Sequence, residues 1–190
     1  MNCYDFDDTI FTGDSSMCFY RFCLLRHIKI LRHLPKQAAA FVRHYVLHTL
    51  SKTEMKEIFY RYFQDVPDME NTLSAFWDKN LRRVKNFYLA QQQEEDVIIS
   101  ASPEFFLEPA CKRLGIRHLI ASPVDPVTGC YAGENCHGEE KVLRFHALFS
   151  DVEIDAFYSD SLSDTPMARL AKRAFLVKGE KLCPWPELGR

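Results

Sequence analysis

Residues 2–9 read Asn2-Cys3-Tyr4-Asp5-Phe6-Asp7-Asp8-Thr9, a short strand-like start that turns at once into three aspartates within four positions and closes on a threonine. A strand that ends in carboxylates has a chemical consequence. In an open α/β sheet, ligands collect outside the carboxyl ends of the strands. Asp5 and Asp7 stand two apart, so extended geometry sends both side chains the same way. Two such carboxylates repel unless a cation lies between them or one keeps a proton. The alternative is a solvated acidic turn, and the rest of the chain decides between the two.

Four further apolar runs follow: 96–100 (DVIIS), 117–121 (RHLIA), 154–159 (IDAFYS) and 173–177 (RAFLV). Near-continuous apolar runs of this length suit parallel strands buried on both faces. Helical patterns at 102–115, 138–149 and 164–173 lie between them. Ser102 is read as the N-cap of the first, with Pro103 at its first position and Gly115 as its stop. Strand and helix in alternation predict a doubly wound, mainly parallel Rossmann-like α/β sheet. Residues 122–136, with Pro, Gly and Asn at turn positions, predict a small β-hairpin.

Residues 14–93 interrupt the alternation. Segments 16–34, 36–50, 52–64, 67–81 and 82–93 read as helices, broken at Pro35 and Pro67. The expected organisation is an α/β core domain from residues 1–13 and 94–190, with an all-helical domain, 14–93, inserted after the first strand. Within the insert, residues 15–53 carry seven Lys or Arg and no Asp or Glu, leaving 17 basic against 26 acidic residues elsewhere. A helix over 16–36 would place Arg26, Lys29, His33 and Lys36 on one face. That face is read either as an ordinary solvated surface or as an attractor for anionic substrates or an anionic membrane.

The second acidic pair answers the question the first one raises. Asp160 and Asp164, in SDSLSDTPM (159–167), follow the strand IDAFYS. Two acidic pairs at the ends of two parallel strands make a hard-oxygen site of the kind Mg²⁺ prefers. Ser100, at the end of the strand VIIS, and Lys141, near a helix start, add anion donors beside it. Net charge is −2, so no nucleic-acid partner is implied. Seven cysteines without a CxxC pair read as free thiols of a cytoplasmic protein, and Cys136-His137 lacks the second pair that a zinc site needs. No apolar run reaches the roughly 18 residues of a membrane span, and the polar start shows no signal peptide.

In this order the residues resemble the four motifs of the haloacid dehalogenase superfamily: Asp5-Phe6-Asp7-Asp8-Thr9, then Ser100, then Lys141, then Ser159 to Asp164. The helical insert after the first motif resembles the C1 cap of its phosphoserine phosphatase-like branch, subfamily IB. The resemblance implies a Mg²⁺-dependent phosphatase for a phosphomonoester, either a small phosphoserine-like metabolite or a lipid phosphate. Asp5 is then the nucleophile and Asp7 the acid and base. The metal is held by Asp5, Asp7 (through its backbone carbonyl) and Asp160, with Asp164 behind it. Ser100 and Lys141, with Asp8 and Ala101, bind the substrate phosphate. Ala101-Ser102 and Ser163 stand where phosphoserine phosphatase has Gly-Gly and Asn, and Asp14 where it has Glu. These departures argue against phosphoserine itself, and Asp14 is read as a helix cap. A phosphatidylglycerophosphatase-like lipid phosphatase, a phosphotransferase and a catalytically idle phosphate-binding protein are the alternatives.

Overall fold

A computed structural model describes residues 1–150 and 152–186. Its centre is a six-stranded sheet in the order β3-β2-β1-β4-β5-β6. The strands are β1 (Asn2–Tyr4), β2 (Val97–Pro103), β3 (His118–Ser122), β4 (Ile154–Ser159), β5 (Ala171–Lys178) and β6 (Lys181–Pro184). The first five are parallel and β6 is antiparallel on β5. The predicted doubly wound α/β class is therefore observed. β1 lies at the centre, paired with β2 on one side and β4 on the other, so the acidic ends of β1 and β4 are neighbours. Register pairs Tyr4 with Ile98 and with Tyr158.

Both faces of the sheet are covered, as the apolar runs require. One face packs Cys3, Val97, Ile99 and Phe157 against Phe145, Met167 and Trp185. These come from α7 (Glu139–Leu148), α8 (Thr165–Leu170) and the C-terminal segment. The other face joins Tyr4 and Ile98 to an aromatic layer that includes Phe6, Phe19, Phe76, Trp77 and Phe106. Much of the chain's aromatic content goes into this layer. It welds α1 (Ser15–Leu24) and α4 (Met69–Asn80) of the insert to α6 (Glu104–Leu114) of the core. The Trp77 Nε1–H donates to the Phe106 carbonyl at 2.8 Å, which satisfies the one polar group of the buried indole.

Several expectations are corrected. The segment 16–34 is not one helix. The Cys23 carbonyl accepts from the amides of both Arg26 and His27, α1 stops at Leu24, and Ile28–His33 forms a 3₁₀ turn. His33 is then turned to Asp65 at 2.8 Å, so the single basic face of Arg26, Lys29, His33 and Lys36 does not form. Pro35 opens α2 (Leu34–Tyr45) rather than separating two helices, as its fixed φ allows. The helix expected over 164–173 is only α8, because Ala171 onward pairs with β4. The hairpin shrinks to one bridge, Val124 with Tyr131, around a turn capped by Asp125. Edge strand β6 carries no apolar run and had no sequence signal. No helix among the described residues is long and apolar enough to cross a membrane.

The turn at 125–130 also docks the insert. Gly129 has φ +75°, and a Cβ there would lie 2.5 Å from the Tyr60 carbonyl oxygen at the end of α3 (Lys52–Tyr60). Only glycine permits both the conformation and the approach. Next to it, the Tyr131 amide donates to the Glu57 carboxylate of α3 at 2.9 Å.

Candidate active site

A cleft of about 530 Å³ lies between the carboxyl ends of the strands and the insert, and Asp5, Asp7, Asp8, Ser100, Ala101, Lys141, Asp160 and Asp164 all line it. Thr9 explains why the first acidic group closes as it does. Its hydroxyl accepts the Asp160 amide at 2.9 Å and lies 3.3 Å from Asp5 Oδ2 and 3.4 Å from Asp160 Oδ1. One buried hydroxyl thus clasps the ends of β1 and β4 and holds two carboxylates on the same spot.

Lys141 is buried at the start of α7 and bridges two acids, with Nζ 2.8 Å from Asp5 Oδ1 and 2.7 Å from Asp164 Oδ2. Ser159 Oγ also donates to Asp164 Oδ2, at 2.8 Å. Asp164, implied to stand behind a metal, is therefore one jaw of a lysine clamp. Asp7 is held from both sides: the Ser15 amide donates to Oδ1 at 2.7 Å and the Ser102 hydroxyl to Oδ2 at 2.5 Å. Ser102 is not the predicted N-cap. It lies inside β2, and α6 starts after Pro103 with no side-chain cap. The Ser-Pro pair mimicked a helix start, and only the fold brings Ser102 to Asp7.

Asp8, in the left-handed region at φ +52°, is spent on its own loop. Its amide donates to the Gly13 carbonyl, its carboxylate accepts the Gly13 amide, and its carbonyl accepts from Lys85. The Ala101 carbonyl accepts Lys56 Nζ at 2.8 Å. The Ser100 hydroxyl, buried at the end of its apolar run, accepts the Ser102 amide at 3.1 Å. Asp14 caps α1 as expected, accepting the Met17 amide at 2.8 Å. Lys52, Lys56 and His137 line the cleft as well, and the sequence reading had singled out none of them for the site.

The electrostatics fit a cation. Burial pushes the Asp5 carboxyl up to about 7, although Lys141 pulls it down, and the Asp164 charge adds to the rise. Burial pushes Asp7 up to about 6, helped by the charge of Asp14. Asp160 is raised by burial and by Asp8. Four carboxylates around one buried lysine carry more negative charge than they can neutralise, a balance that a hard divalent ion corrects. Among the described residues no three His, Cys, Asp or Glu side chains converge tightly enough to enclose an ion by themselves. Asp5 and Asp160 would supply two oxygens, with backbone or water completing the shell, as Mg²⁺ tolerates.

Comparison with known proteins agrees with this geometry. Residues 3–169 match the model of the haloacid dehalogenase-like hydrolases. Protein CicA of Caulobacter vibrioides is 35% identical over 81 residues, 40% of this chain and 36% of CicA, so the match spans about a third of that relative. A histidinol-phosphatase of Neisseria meningitidis is 24% identical over 97% of this chain and 96% of its own. A probable phosphoserine phosphatase of Vibrio cholerae shares the fold, with TM-score 0.66 and 14% identity over 91% of this chain and 55% of that one. With the family model covering both acidic strand ends and everything between them, the chain belongs to the haloacid dehalogenase-like hydrolase family.

Proposed function

We propose that the chain is a Mg²⁺-dependent phosphatase that hydrolyses phosphomonoesters through an aspartyl-phosphate on Asp5. The observation that carries this reading is the shared position of the Asp5 and Asp160 carboxylates on Thr9, with Lys141 against Asp5. An Asp5 oxygen attacks phosphorus as the bond to the leaving oxygen breaks. Asp7, whose raised pKa keeps part of it protonated near neutral pH, gives its proton to that oxygen. Asp7 then takes a proton from water, the water oxygen bonds to phosphorus, the bond to Asp5 breaks and inorganic phosphate leaves. Lys141 and the Ser100 hydroxyl bind the phosphoryl oxygens, and Ser102 and the Ser15 amide keep Asp7 aimed. Asp5 and Asp160 would hold Mg²⁺, which would supply neutralisation of the phosphoryl charge. In this reading the helical insert is the cap that closes over the substrate.

The test is release of phosphate from an aryl phosphate. Turnover with Mg²⁺ that a chelator abolishes supports the reading; an inactive protein that still binds phosphate supports the idle binder instead.

One observation favours a second reading, in which the cap rests on an anionic membrane and the substrate is a lipid phosphate. Leu25, Ile28, Val42, Tyr45, Val46 and Leu47 of the insert are at least half exposed, within the stretch that has no acidic residue. Exposed apolar side chains beside arginines and lysines are what an interfacial surface needs. Sedimentation with anionic vesicles at low salt, reversed by high salt, is the expected result. Protein that stays in solution at low salt contradicts it.

A further inference from the structure

The cleft has two unlike walls. Its floor, built from strand ends, holds the four aspartates and Lys141. The wall facing it, built by α3, carries Lys52 and Lys56. These lysines are four residues apart on one helix, so they share a face and repel each other. A helix gains nothing from such a pair unless something negative sits against it.

Within the chain, Asp5 and Asp164 attract Lys52, and Asp7 and Asp14 attract Lys56, but only through space. Lys56 Nζ touches only neutral oxygens, the Ala101 carbonyl at 2.8 Å and Asn135 Oδ1 at 3.5 Å. Neither lysine forms an ion pair among the described residues, and Lys52 forms no hydrogen bond there. The cap-side carboxylate within the cleft, Asp14, is committed to the Met17 amide. Burial and the charge of Lys52 push the His137 imidazole down, towards its neutral form, so the lysines are the cations on this side. Burial and the charge of Lys52 push the Lys56 ammonium down to about 8, the cost of holding it unpaired. The insert also lines the cleft with apolar side chains, Met17, Phe41, Met55 and Phe59. The cleft thus sets Lys141 and Ser100 on the floor for a phosphoryl group and leaves two further cations, Lys52 and Lys56, on the insert side.

We propose that Lys52 and Lys56 form a second anion subsite, so that the substrate is a phosphomonoester bearing another anionic group, a carboxylate or a second phosphate. This deepens the phosphatase reading and rests on it. Lys56 can leave its acceptors, because the Ser122 hydroxyl can donate to the Ala101 carbonyl while the Tyr131 hydroxyl donates to Asn135 Oδ1. A substrate anion therefore gains a charge-assisted bond without orphaning the groups it displaces.

The experiment compares three phosphomonoesters of similar size: 3-phosphoglycerate, glycerol 3-phosphate and 2-aminoethyl phosphate. The expected order of kcat/KM is carboxylate, then neutral, then ammonium, with about tenfold or more between the first and last, carried mainly by KM. Lys52→Gln and Lys56→Met should each shrink that ratio severalfold and the double variant to about twofold, while Lys52→Arg retains it. A wild-type ratio near one, or variants that lower all three substrates in proportion, would overturn the subsite. Lys52→Gln guards against a fold failure at the more buried Lys56. Calorimetric binding of the same three compounds to Asp5→Asn in Mg²⁺ separates this inference from the reading beneath it. No turnover of any of them by the wild type sinks the phosphatase, whereas the binding order upholds or overturns the subsite by itself.

Discussion

The floor of the cleft and the wall above it are made by different means. The floor is a product of the sheet: β1 and β4 are hydrogen-bonded neighbours, and their ends must bring Asp5 and Asp160 together wherever those strands pair. The wall is a product of side-chain packing, with helices set onto the core by the aromatic layer around Trp77 and by the Gly129 turn. The floor's polar groups are almost all paired with one another, through Thr9, Lys141, Ser102 and Ser159. The wall's two lysines form no ion pair among the described residues and feel the floor's aspartates only through space. A site whose chemistry is fixed by strand pairing and whose selectivity is left to a packed-on insert can change substrate without disturbing the reaction.

If that division is right, damage to the floor is severe and indifferent to substrate. Asp5→Asn keeps the shape but removes the proposed nucleophile, and turnover of any phosphomonoester should fall by at least about 10³-fold. Lys141→Met removes the charge between Asp5 and Asp164 and should cost about 10²-fold in kcat/KM for every substrate alike. A substrate-dependent loss there would erase the contrast with Lys52 and Lys56.

The seam between floor and wall is tested at glycine. Gly129→Ala must both strain a positive φ and push on the Tyr60 carbonyl, and should destabilise the fold by about 2 kcal/mol in denaturant unfolding. Gly115→Ala is the matched control: its φ is +70° but nothing lies within 4 Å of the new Cβ. It should cost only about 1 kcal/mol. Equal losses would mean that the close approach contributes nothing.

A last effect, seen only as a change with pH, concerns the proton on Asp7. Its carboxyl is raised by burial to about 6, so the folded state holds a proton that the unfolded state has already lost. Stability then falls as pH rises from about 4 to about 6, and the cost is complete above that. Asp7→Asn can still accept the Ser15 amide and meet the Ser102 hydroxyl. In metal-free buffer it should gain up to about 3 kcal/mol at pH 7.5 and nothing near pH 4, while activity is lost. A gain that is the same at both pH values would remove burial of the charge as its cause.

The same division governs what could be read from the sequence. Parallel strands buried on both faces announce themselves as apolar runs, and Asp5, Ser100 and Asp160 stand at or just beyond the ends of such runs. Sequence could therefore place them on one side of one sheet. Lys141 was picked out only by its place near a helix start, which many solvated lysines share, and the resemblance gave it a role. Ser102 was misread because Ser-Pro before an apolar helix has the form of a cap, and the bond to Asp7 crosses 95 residues. The insert was legible only as helical. Its break after Cys23 depends on a doubly accepting carbonyl and on the distant Asp65, neither of which leaves a local signal. Lys52 and Lys56 look like any exposed i, i+4 pair until the cleft is built around them.

The central claim, that Asp5 becomes phosphorylated during turnover, has a direct measurement. The protein is mixed with a phosphomonoester and Mg²⁺, quenched in acid, reduced with borohydride and mapped by mass spectrometry. One reduced side chain per molecule, at Asp5 and nowhere else, is the predicted result, and it should vanish in Asp5→Asn. Steady turnover with Asp5 unmodified under every quench, or with the phosphoryl group trapped on another residue, would contradict it.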